Sequence, residues 1–262
     1  MEENTKAIVT VNGRSYEAGL LVFDKDGLMF DSEQFWIELA NARMRELEKL
    51  CPEADILAWA KLMGVRLGTG NGTVTAAAVD PMGILGVASP AEEMTVLAGF
   101  LSLKLSLVWS EARQTARDLF ASSDLNIDLK RALKPQPGFT ELMRRIADLD
   151  IPYGVATSDN YQRTRDSMAL FGCWDKVRFV VTPDDVERGK PEPDMLQLIS
   201  ETQKVPPESI VMIGDSYVDV KMAKAAGSVG IGITRSPEMR LKMLPYASEI
   251  APSLEMISID RA

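Results

Sequence analysis

The 262-residue chain contains no histidine. That absence excludes Ser-His-Asp and Cys-His catalysis, histidine-ligated zinc and phosphoryl transfer through histidine. Acid and base chemistry must fall to Asp, Glu, Lys, Tyr or Cys. Cysteine is almost as scarce. Cys51 and Cys173 stand alone, without the C-x-x-C spacing of a metal or redox site. They read as reduced thiols, and the expected compartment is the cytoplasm. No apolar run approaches the roughly 20 residues of a membrane span. The longest candidate, near 94–109, is broken by Lys104, a glycine and several serines. The opening MEENTKAIV lacks the basic, apolar and small-residue succession of a signal peptide. Positive charge is in deficit: 29 Lys and Arg against 38 Asp and Glu give a net charge of −9. Neither nucleic acid nor an anionic membrane is an expected partner for such a surface. Nucleotide-binding loops are missing too. Gly68-Thr69-Gly70-Asn71-Gly72 lacks both the GK[ST] of a Walker loop and the G-x-G-x-x-G fingerprint, and reads either as a flexible turn between helices or as a loop that selects substrate.

What is present begins with a short β-prone pair around Asn12-Gly13, a dipeptide that favours a tight hairpin turn. Residues 19–23 then read as a buried strand. From Asp31 the period becomes helical, through Phe35, Trp36, Leu39, Met44, Leu47 and Leu50, with Asp31 and Gln34 as a capping pair. Helical patterns continue over 53–63, 91–120 and 126–133. After Pro135 and Pro137 the signals alternate: helix 139–149, strand 153–156, helix 161–171, strand 177–181, helix 194–202, strand 210–213, helix 218–226, strand 229–233. Strands alternating with helices predict a doubly wound, Rossmann-like parallel sheet covered on both faces. About 130 residues separate the strand at 19–23 from the next of this series, whereas a crossover needs only about a dozen. The expected organisation is therefore an α/β core of residues 1–30 and 136–262, opened by a β-hairpin. A mostly helical domain, 31–135, is inserted after the first core strand.

FDKDGL, residues 23–28, leaves that strand with two carboxylates two residues apart. In an open parallel sheet the functional crevice lies at the carboxyl ends of the strands. Asp24 and Asp26 would meet there with Thr157 and Ser158 of YGVATSDN, Lys190 of RGKPEPD, and Asp215 and Asp219 of GDSYVD. Four carboxylates so close need a counter-charge. An all-oxygen donor set without His or paired Cys favours Mg²⁺. Thr157, Ser158 and Lys190 would hold phosphoryl oxygens. One carboxylate of the Asp24/Asp26 pair can then attack phosphorus while the other moves the proton.

These four motifs, in this order, resemble those of the haloacid dehalogenase superfamily. The likeness is greatest to its magnesium-dependent phosphatases with a helical cap after the first core strand, such as phosphoglycolate phosphatase and beta-phosphoglucomutase. It spans residues 19–233. The resemblance implies Asp24 as nucleophile and metal ligand, and Asp26 as general acid/base that also binds metal through its backbone carbonyl. It further implies Thr157 and Ser158 as phosphate-binding residues, Lys190 neutralising phosphate and nucleophile, Asp215 as a direct ligand, and Asp219 as a ligand or its orienter. Leu28 departs from the usual Thr or Val. The expected activity is Mg²⁺-dependent hydrolysis of a small phosphorylated metabolite through an aspartyl-phosphate, by a monomer or homodimer. A sugar phosphomutase, a phosphonate hydrolase using a cap lysine, and a non-catalytic binder of phosphorylated ligands are the alternatives. Arg66 and Lys104 are candidates for a second anionic group of the substrate.

Overall fold

The short apolar runs of the second half of the chain have one destination. The computed structural model describes residues 6–31, 33–70, 73–127 and 129–262. Strands β3 (Leu20–Phe23), β4 (Tyr153–Ala156), β5 (Val177–Val181), β6 (Ile210–Gly214), β7 (Val229–Ile233) and β8 (Glu249–Ala251) form a six-stranded sheet in the order β8-β7-β6-β3-β4-β5. All its pairings are parallel. Every residue of β3, β4 and β6 is buried, as expected of central strands covered on both faces. Helices α1 (Phe139–Asp148), α2 (Tyr161–Leu170), α3 (Asp194–Gln203), α4 (Tyr217–Ala226) and α5 (Pro237–Met243) connect the strands. Leu20, Val22 and Met212 pack against Met195, Leu196, Ile199 and Met222 of α3 and α4. A second cluster stacks Phe30 on Phe171 at 4.6 Å and sets it edge-on to Phe139 at 5.1 Å.

The expected N-terminal hairpin, β1 (Ala7–Val11) and β2 (Arg14–Ala18), turns at Asn12 and Gly13. Both have positive φ, 51° and 78°, the geometry of the tight turn this dipeptide favours. Sequence patterning stops at residue 233, but the fold does not. Glu249–Ala251 adds β8, and β9 (Ile257–Arg261) joins the hairpin as a third antiparallel strand, Ala7 opposite Arg261 and Val11 opposite Ile257. Glu249 holds the hairpin turn by accepting from Arg14 Nη1 at 2.7 Å and Asn12 Nδ2 at 3.0 Å.

Contacts divide the chain into two compact units, Met1–Asp31 with Pro135–Ala262, and Ser32–Lys134. The second contains helices Glu33–Leu47, Glu53–Met63, Pro90–Leu105 and Trp109–Asp124. Ser89 and Glu92 form a capping box on the third of these, with Pro90 in its first turn. Arg43, 1% exposed, stacks on Phe120 at 3.6 Å and pairs with Asp124 at 2.8 Å.

Two expectations for this unit are corrected. The glycine-rich stretch is not a turn between helices: Val65–Gly70 and Thr73–Val79 pair as an antiparallel hairpin, whose tip, residues 71 and 72, lies outside the described residues. The helix expected over 91–120 is two helices, broken where Ser106 takes φ 54° without any Gly or Pro to announce it. Asp31 belongs to a two-residue strand, while Gln34 bonds Glu38 within the helix. No described helix is long and apolar enough to cross a membrane.

Candidate active site

The sheet order explains why distant motifs meet. β3 lies between β6 and β4, with Phe23 beside Ile213 on one side and Val155 on the other. Asp24 follows Phe23 directly. Asp215 and Thr157 stand two residues beyond those partners. The three parallel strands therefore deliver Asp24, Asp215 and Thr157 to one rim. The Asp24 amide donates to the Ile213 carbonyl at 2.9 Å, continuing the ladder to Asp24.

Asp219 enters from the first turn of α4. Its Oδ2 accepts from the Ser216 amide at 3.0 Å, and its Oδ1 from Lys190 Nζ at 2.6 Å. Lys190 comes from the loop before α3 and also donates to Asp24 Oδ1 at 2.8 Å. Carboxylate oxygens of Asp24, Asp215 and Asp219 lie within 4.8 Å of one another. Gly27 is required beneath them: a Cβ there would stand 2.1 Å from Asp215 Oδ2, and its φ of +85° already resists a side chain.

Charge in this cluster does not balance. Burial and the neighbouring Asp24 and Asp219 push the Asp215 carboxyl well above its usual range. Asp24 is also raised, by burial, with Lys190 opposing and Asp219 reinforcing the shift. Burial pulls the Lys190 ammonium down, but Asp219 and Asp24 outweigh it and hold the proton on. Three carboxylates around one ammonium, all oxygen donors, fit a hard divalent cation. A recess of about 220 Å³ beside them, lined by Gly27, Gln136, Asp215, Thr234 and Arg235 among others, leaves room for solvent or ligand.

Asp26 stands outside that triad. Its Oδ1 accepts from Lys25 Nζ at 2.6 Å. Lys25, 1% exposed, is also paired with Asp159 Oδ2 at 3.0 Å, and Asp159 Oδ1 with Arg163 Nη1 at 3.1 Å. Burial pushes the Asp26 carboxyl up while Lys25 opposes it. For Asp159 burial also acts upward, but Lys25 and Arg163 win and the carboxyl sits below its usual range.

Thr157 is buried, and its Oγ1 accepts from the Asp159 amide at 3.1 Å. Ser158 beside it is partly exposed. Neither caps the following helix; Asn160 does, accepting from the Arg163 amide at 2.8 Å. Lys104 is engaged by Asp55 at 2.7 Å, whereas Arg66 is exposed. The residues that sequence reasoning missed are Lys25, Asp159 and Arg163. Two of them were in view, one between the paired aspartates and one directly after Thr157-Ser158.

Fold and rim together define a doubly wound α/β protein with a carboxylate-rich site at the strand ends. Residues 19–227 match the family described as hydrolase, haloacid dehalogenase-like hydrolase. The chain belongs to that family of enzymes. Among relatives, the N-acetylmuramic acid 6-phosphate phosphatase of Pseudomonas putida is 24% identical over 209 residues, 79% of each chain. The phosphoglycolate phosphatase of Escherichia coli (strain K12) is 42% identical over 55 residues, 21% of this chain and 22% of that one. The crystal structure of CbbY from Rhodobacter sphaeroides in complex with phosphate has a TM-score of 0.60 at 18% identity, over 90% of this chain and 94% of that one. At that identity the likeness shows the fold alone.

Proposed function

We propose that the protein hydrolyses a small, anionic phosphomonoester through an aspartyl-phosphate on Asp24, with Mg²⁺ as cofactor. The observation that carries this reading is the meeting of Asp24, Asp215, Asp219 and Lys190 at one rim of the sheet. An Asp24 oxygen bonds to phosphorus as the ester P–O bond breaks. The Asp26 carboxyl gives its proton to the leaving oxygen, then takes one from the water that opens the acyl phosphate. Lys190 keeps Asp24 ionised and offsets phosphoryl charge. Thr157 and Ser158 bind phosphoryl oxygens. Carboxylates of Asp24 and Asp215 and the backbone carbonyl of Asp26 would hold the metal, with Asp219 as a further ligand or as the residue that orients Lys190. When bound, the ion supplies Lewis-acid polarisation and charge neutralisation.

Residues 32–134 are inferred to act as a cap that selects the substrate and excludes water. Relatives named for N-acetylmuramic acid 6-phosphate and phosphoglycolate support a small phosphorylated metabolite as substrate. Two unpaired cysteines support a reducing, cytoplasmic setting. The test is phosphate release from an aryl phosphate and from a panel of phosphorylated metabolites. Turnover should stop on chelation, return with Mg²⁺, and be absent in Asp24→Asn. Metal-independent turnover, or an active Asp24→Asn, overturns the reading.

A further inference from the structure

The residue between the two motif aspartates is the unusual one. Lys25 is almost fully buried, and both anionic partners of its ammonium are aspartates of the rim loops: Asp26 at 2.6 Å and Asp159 at 3.0 Å. Asp159 is itself held on its other oxygen, by Arg163 at 3.1 Å and the Asn160 amide at 2.8 Å. Its own amide donates to Thr157 Oγ1 at 3.1 Å. One continuous path thus runs from the first turn of α2, through Asp159 and Lys25, to the Asp26 carboxyl, with a branch to the Thr157 hydroxyl. The ion pairs of this network set two carboxylates, Asp26 and Asp159, against two cations, Lys25 and Arg163.

A buried ammonium that donates to one carboxylate and is ion-paired with a second has little rotational freedom, and so has the Asp26 carboxylate that accepts from it. We propose that Lys25 and Asp159 are positioning residues that aim the Asp26 carboxyl at the ester oxygen and lock the Thr157 loop to the loop bearing Asp24. This rests on the reading of Asp26 as the proton donor. Lys25 does not touch the reacting atoms; it acts through Asp26.

The role has a signature that a purely structural one lacks. Proton donation matters most when the leaving oxygen is a poor leaving group. Misaiming Asp26 should therefore depress kcat/KM for an alkyl phosphate far more than for 4-nitrophenyl phosphate, whose phenolate departs unaided. General loss of active protein lowers both together.

The experiment measures kcat/KM for both esters in wild type, Asp26→Asn, Lys25→Met and Lys25→Arg, each checked for folding by circular dichroism. Lys25→Met should lose about tenfold or more on the alkyl ester and less than about threefold on the aryl ester, a weaker copy of Asp26→Asn. Lys25→Arg should recover part of the alkyl activity. If Lys25→Met does not fold, Asp159→Asn is read in the same way and should show the same split. Equal losses on both esters, or no loss, overturn the positioning role while a selective loss in Asp26→Asn leaves the underlying reading intact. A wild type inactive on both esters, or Asp26→Asn without selective loss, overturns that reading and this proposal with it.

Discussion

Two buried charge clusters share a single turn of backbone, residues 24–26, and they are built on opposite principles. On one side Asp24, Asp215 and Asp219 gather around one ammonium, Lys190. On the other, Asp26 and Asp159 face Lys25 and Arg163, two against two. A balanced cluster can be buried because each charge is compensated by its neighbours. The triad has one ammonium for three carboxylates, and burial, reinforced by Asp24 and Asp219, raises the Asp215 carboxyl. The contrast separates a triad short of positive charge, proposed to take a cation, from a cluster whose carboxylates face cations of the chain itself.

The largest effect expected on breaking this contrast is at Lys190. Lys190→Met leaves three carboxylates without their ammonium and removes the charge proposed to face the phosphoryl group. A fall in kcat of about 10²–10³-fold on an aryl phosphate is expected, by analogy with loss of one preorganised electrostatic donor. A Lys190→Met enzyme with near wild-type kcat would mean the triad's charge does not serve catalysis.

Stability should then respond with opposite sign in the two clusters. Asp159→Asn takes one partner from a balanced network and leaves Lys25 and Arg163 undercompensated, so it should cost about 3 kcal/mol in urea denaturation. Asp215→Asn, measured in chelator, removes a repelled carboxylate and should stabilise by about 1 kcal/mol. Saturating Mg²⁺ reverses the second comparison. At a concentration near 100 times Kd the wild type gains about 2.7 kcal/mol, and the variant much less. If Asp215→Asn destabilises the chelated protein, the triad is not starved of positive charge.

Much of this arrangement could be read without coordinates, and the reason is topological. In a parallel sheet, knowing which strand a motif ends fixes the rim it reaches. Asp24, Thr157 and Asp215 were therefore placed by strand periodicity alone, and the strands at 153–156, 177–181 and 229–233 were found residue for residue. Lys25 was not legible as a site residue, because a lysine after an apolar strand reads as solvated. Its burial depends on Asp159 and Arg163, more than 130 residues away, and sequence period carries no information on that pairing. The hairpin of 65–79 was hidden for another reason. Its Gly-Thr-Gly-Asn-Gly run has the composition of a loop, and its pairing comes from the Thr73–Val79 partner strand. β9 was missed because ISIDR has strand character but gains a role only from the N-terminal hairpin it joins.

The smallest effect is a pH dependence, and it is the sharpest test of the contrast because Asp215 and Asp159, one from each cluster, titrate in opposite senses. Asp215 has a folded-state value raised above that of the unfolded chain. Its ionisation destabilises the chelated protein at neutral pH, and that cost is relieved as pH falls through the raised value. The advantage of Asp215→Asn over wild type should therefore shrink as pH drops from 7. Asp159 has a depressed folded value. Its contribution is fully present above the unfolded aspartate value of about 3.9 and is lost only as pH falls through the lower folded one. The deficit of Asp159→Asn should accordingly stay flat from pH 7 to about 5 and close only in stronger acid. One proton limits either slope to about 1.4 kcal/mol per pH unit, so urea midpoints at half-unit steps resolve them. Parallel pH profiles for the two variants would show that both clusters are balanced alike, and the distinction between a cation-receiving triad and a self-compensated network would fall.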